Sequence, residues 1–95
     1  MEQEALGPDV WVFHGMGGKF TSGVFTTREK AEAWIEKHVL TGVLTRYPLD
    51  ISAYDWALET GAFRVKKPEQ TSAEFMQKFT SGGQEHYHYD PHGIG

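Results

Sequence analysis

Apolar and polar positions first fall into order in "DVWVFHG" (9–15), where β-branched and aromatic residues run up to a glycine. That composition and alternation predict a strand. The glycine-rich "MGGKFTSG" (16–23) follows, and then "GVFT" (23–26), a second short strand. The two strands predict a hairpin whose loop is longer than a tight two-residue turn. In residues 26–40 the period changes. Ala31, Trp34, Ile35 and His38 recur at i, i+3, i+4 and i+7, one face of a helix. Thr26 and Glu29 have capping-box spacing, with Thr27 as the alternative cap. Gly42 stops that helix, Val43 to Tyr47 alternates as a third strand, and Pro48 ends it because proline cannot donate to a ladder.

A second helix is expected in "DISAYDWALETG" (50–61), capped by Asp50 or Ser52, with Tyr54, Ala57 and Leu58 facing inward. Gly61 stands where a helix places a left-handed residue. "AFRV" (62–65) suggests a short strand and "KKPEQ" (66–70) a charged turn. "TSAEFMQKFT" (71–80) suggests a third helix, with a Thr71/Glu74 capping box and Phe75, Met76 and Phe79 inward. After "SGGQ" (81–84), "HYHY" (86–89) alternates as a closing strand. The expected fold class is α+β: a small, mainly antiparallel sheet with two to three helices packed on one face. Residues 1–95 form a single domain in this reading, with 1–8 and 91–95 as flexible ends.

Composition narrows the chemistry. Six phenylalanines, four tyrosines and three tryptophans offer enough area to build a modest core. A net charge of −4 argues against nucleic acid, whose binders carry a basic face, and suits a basic protein partner. The absence of cysteine removes disulfides, thiolate metal sites and cysteine nucleophiles. No apolar run approaches a membrane span and the acidic start lacks a signal peptide's pattern, so a cytoplasmic protein with no membrane partner is expected.

The glycine loop is not a phosphate loop. Phe20 stands where Ser or Thr would follow Gly18-Lys19, and Phe13 occupies the upstream glycine position. Nor does it make Gly-x-Gly-x-x-Gly, because Phe20 follows Gly15 and Gly17 at the last position. The glycines are expected to supply positive φ in a turn. His14 has the chemistry of a general base but no orienting group that spacing can place beside it. His38 is expected to be capping or semi-buried at the helix C-terminus, where a cation suits the dipole. In "QEHYHYDPH" (84–92), His86 and His88 share one strand face and Tyr87 and Tyr89 the other. The tyrosines are expected inward or at an interface and the histidines mostly exposed. A metal-binding alternative uses His86, His88 and His92, with His14 added if the tail pairs beside the first strand. No carboxylate pair or nucleophile arrangement marks an enzyme, so none is expected, and no cofactor.

Taken together, "WVFHG", "SGVF", "AEAWI", "GVLTRYPLD", "YDWALETGAF", "KKPE" and "FTSGGQEHYHY" resemble a family of small uncharacterised bacterial single-domain proteins, over about residues 9–89. The resemblance extends to immunity proteins of toxin systems such as contact-dependent growth inhibition. It implies a non-enzymatic module that neutralises a cognate toxin, for instance a basic nuclease domain, by occluding it. Asp55, Trp56, Glu59, Tyr87, Tyr89 and Asp90 combine outward acidity with aromatic anchors and are the expected contact residues. An accessory domain of a larger enzyme is the third reading.

Overall fold

A computed structural model describes residues 8–91; the remaining terminal positions, His92 among them, lie outside the described residues. The elements run β1 (Asp9–Gly15), β2 (Gly23–Phe25), α1 (Arg28–His38), β3 (Gly42–Pro48), α2 (Ala53–Thr60), a 3-10 turn (Pro68–Thr71), α3 (Ala73–Lys78) and β4 (His86–Tyr89). Four antiparallel strands order themselves β2-β1-β3-β4, which establishes the expected small α+β fold.

Register sorts the side chains into two faces. Trp11 opposes Phe25 and Arg46, Phe13 opposes Gly23 and Leu44, and Leu44 opposes Tyr87. Directly opposed residues share a face. Helix α1 closes over that face, burying Ala31 and Ile35 against Trp11, Phe13 and Leu44, with Trp34, Phe25, Leu40, Tyr87 and Tyr89 around them. Trp34 packs edge-on against Phe13 at 5.8 Å between centroids. The other face carries Val10, Val12, His14, Val24, Val43, Thr45, Tyr47, His86 and His88, and none of these is fully buried.

Local chemistry explains the helix ends. Thr27 caps α1 by accepting from the Lys30 N–H, so the alternative cap is the real one. Ser52 caps α2 through the Asp55 N–H. Asp50 instead turns the chain at φ +64°, a conformation that aspartate adopts more readily than most residues. Gly61 ends α2 at φ +83°, as its position demanded. Gly42 matters for a different reason. A Cβ there would stand 2.4 Å from the His14 carbonyl oxygen and 2.7 Å from Phe13 Cζ, so only glycine lets β1 and β3 approach.

Several expectations need correction. "AFRV" is not a strand, because the Phe63 N–H donates to the Ala57 carbonyl and its ring joins an aromatic cluster. Ser72, not Thr71, caps α3, since the Thr71 hydroxyl donates to the Pro68 carbonyl within the 3-10 turn. Glu74 pairs with Lys78 at 3.3 Å instead of completing a box. Leu58 and Met76 are exposed, at 39% and 43%, because α2 and α3 pack through Tyr54, Phe63, Phe75 and Phe79. The Tyr54 hydroxyl donates to the Gln70 carbonyl at 2.7 Å, tying that cluster to the turn.

Candidate functional site

The closing strand is held by a ladder of rings and charges. Tyr87 stacks on Trp11 at 6.2 Å between centroids, and the Arg28 guanidinium lies 3.6 Å over the Tyr87 ring. Arg28 pairs with Glu32 one helical turn on, at 3.1 Å. The Tyr89 hydroxyl donates to Glu32 Oε2 at 2.5 Å and the Tyr87 hydroxyl donates to Glu85. Arg46 bridges Glu85 at 3.0 Å and Asp9 at 2.7 Å.

The ladder shifts proton affinities. The Tyr89 hydroxyl's donation holds Glu32 below its ordinary range; burial opposes this and Arg28 assists it. Burial and the Glu32 carboxylate raise Tyr89 to about 12. Glu85 is likewise lowered by the Tyr87 hydroxyl and then by Arg46.

Among the expected contact residues, Asp55 and Glu59 are exposed on α2 and Trp56 is half-buried, its ring close to the backbone of Gly83. Tyr87, Tyr89 and Asp90 form a separate group at β4, where both tyrosine rings lean on the core and both hydroxyls are engaged. Asp90 lines a cleft of about 460 Å³ with Ile35, Glu36, Val39, Leu40 and His88.

The described histidines fall in three places. His86 and His88 point outward, as expected, with ring centroids 5.3 Å apart. The tail pairs with β3 and not with β1, so Val43 stands between His88 and His14 and the condition for adding His14 to the metal-binding set is not met. The His14 Nε2–H donates to the Gly18 carbonyl at 2.7 Å and braces the glycine loop, where Gly17 takes φ +83°. His38 is exposed and meets Trp34 edge-on. Among the described residues no group of three or more His, Asp or Glu side chains is placed to hold a metal.

A set of exposed apolar side chains was not anticipated. Met16 (78% exposed), Phe20 (82%) and Val24 (64%) project from the β1–β2 hairpin, and Val39 (57%) from the end of α1. The Met16 N–H donates to the Thr41 carbonyl at 2.9 Å, joining the glycine loop to the α1–β3 turn. Met16, Trp34, His38, Val39 and Leu40 share a cleft of about 690 Å³. Val39 also borders the Asp90 cleft, and it adopts φ +54°, ψ +55° at the helix C-cap. A β-branched residue is an outlier in that region, where glycine or asparagine belongs. The legible signal was Met and Phe on a glycine loop that needed no apolar residue for its turn.

Comparison with curated proteins and with solved structures finds no match. The family model of the domain of unknown function DUF7710 matches residues 10–93, and the chain belongs to that family.

Proposed function

We propose that this domain is a protein-binding module without chemistry of its own, and that it engages its partner through the apolar rim around Met16, Phe20, Val24 and Val39. The observation that carries this reading is the exposure of Met16, Phe20 and Val24 on the hairpin and of Val39 at the end of α1, with Met16 and Val39 lining one cleft and the two elements joined by a backbone hydrogen bond. Exposed apolar side chains grouped in this way, as Met16 and Val39 are at their shared cleft, mark interaction sites. Such surface prefers partners that cover it without burying charge, and the anchors here carry none.

The specific form we propose is neutralisation of a cognate toxin with a basic domain. The net charge of −4 would accelerate encounter with such a partner, and the rim would hold the complex once formed. The module would work by covering the toxin's active surface.

The test is co-expression with the protein encoded beside this domain's gene, read by gel filtration and by survival of the host. A 1:1 complex that protects growth is expected. Met16→Glu and Phe20→Glu should each weaken it about 30-fold or more, the scale of a lost interface anchor. If the complex tolerates both charges and instead dissolves with Trp56→Ala, the interface lies on α2 and the rim is not the site. If the neighbouring protein neither binds nor harms the cell, the toxin form is wrong.

A further inference from the structure

We propose that His86 and His88 form a two-point chelate for a divalent ion of the Zn²⁺ class on the open face of β4. The strand geometry is the first reason. Residues i and i+2 of a strand share a face, and both imidazoles are exposed there, next to Thr45 and Val43 of the neighbouring strand. Spacing is the second. A metal–nitrogen distance of about 2.0–2.1 Å and a tetrahedral angle put two ligating imidazole centroids about 5.2 Å apart. The observed separation is 5.3 Å, with the rings at 79° to one another.

Ring orientation is the third reason, and it is the least expected. His86 Nδ1 lies 2.9 Å from the Gln84 carbonyl oxygen. A carbonyl only accepts, so Nδ1 carries the proton and Nε2 keeps its lone pair. Fixing the tautomer by a backbone acceptor is how proteins prepare a histidine for metal. The carbonyl is itself held still, because Gln84 is 4% exposed, the one buried polar residue among those described. The Gln84 carbonyl therefore orients His86, and His88 completes the pair.

Two imidazoles occupy two of four positions, leaving the others to water or to a donor brought by another molecule. The site meets the apolar rim only at its edge: His88 and Val39 both border the Asp90 cleft, whereas Met16, Phe20 and Val24 do not line it.

The experiment is a calorimetric titration of untagged protein with Zn²⁺, paired with NMR of the imidazole resonances. It is run on the wild type and on a His92→Ala background, which removes the histidine nearest in sequence. One equivalent of Zn²⁺ should bind in both, shifting the His86 and His88 signals together and leaving His14 unmoved. His86→Ala and His88→Ala should each reduce affinity about tenfold or more, because the second imidazole acts at high effective concentration. His14→Ala should match the wild type. His14, His86 and His88 are exposed, and unchanged circular-dichroism melting confirms that each variant folds. The proposal fails if His92→Ala abolishes binding, or if either strand histidine can be lost without effect.

Discussion

Replacing Val39 by glycine should stabilise the fold. Val39 closes α1 at φ +54°, with its N–H donating to the Glu36 and Ile35 carbonyls, so the backbone conformation is enforced by the helix end. A left-handed conformation costs a residue with a Cβ about 1–2 kcal/mol. Glycine removes that cost. Against it stands the side chain's own burial, but Val39 is 57% exposed. Rather less than half of a valine's full transfer energy is at stake, about 0.7 kcal/mol. The net gain is about 0.3–1.3 kcal/mol, which in a domain of this size raises Tm by about 1–10 °C. Val39→Ala is the control, since it gives up the same packing and keeps the strain. Differential scanning calorimetry of both variants decides the matter. If glycine melts at or below alanine, the C-cap strain does not exist and the argument is wrong. The same glycine variant should bind the proposed partner less well, separating stability from function at one position.

Three further predictions concern the polar groups around β4. Glu32 is lowered in the folded state, so its contribution is present above the ordinary glutamate range and disappears as pH falls through the folded value. The melting difference between wild type and Glu32→Gln should therefore be largest near neutrality and vanish in acid; a difference constant from pH 7 to pH 3 would contradict it. Tyr89 is raised to about 12, so its share is complete below pH 10 and lost between 10 and 12. Tyr89→Phe should cost about 1.5–3 kcal/mol at neutral pH, the scale of a hydrogen bond to a charged acceptor, measured by urea unfolding. The buried Gln84 Nε2 meets no acceptor among the described residues. Gln84→Met keeps the shape and removes the orphan donor, and should stabilise by about 1 kcal/mol in the same assay. A loss instead of a gain would show that the amide is satisfied.

Much of this fold was readable because local chemistry and packing agree. Strands β1 and β3 alternate cleanly, and their inward residues, Trp11, Phe13 and Leu44, are the core. Helix α1 showed its face through Ala31 and Ile35. Reading failed where an apolar residue had two credible destinations. Phe63 suited a strand by propensity, but its place is set by Tyr54, Phe75 and Phe79, partners that spacing along the chain cannot reveal. Leu58 and Met76 fit a helical face whose width was overestimated, since one tyrosine and three phenylalanines already fill the contact. Functional surfaces were harder still. Exposure at Met16 and Phe20 depends on the loop standing clear of the sheet, and the outward turn of Val39 depends on a backbone angle that valine rarely takes. The histidine pair was visible in the alternation of "HYHY", but the carbonyl that orients His86 was not.

The strand order has a kinetic consequence. Strands β1, β2 and β3 with α1 occupy the continuous stretch 9–48, whereas β4 reaches β3 only after the whole of 49–85 has been traversed. Closing a loop of that length costs about 3 kcal/mol of chain entropy, recovered through a short ladder and the contacts of Tyr87 and Tyr89. The last strand is therefore the element most easily detached while the rest stays folded, and its amides should exchange with solvent well before those of β1 and β3. An ion gripped by two residues of that strand would need no contact elsewhere to slow its departure, provided that the imidazoles align only when the strand is docked.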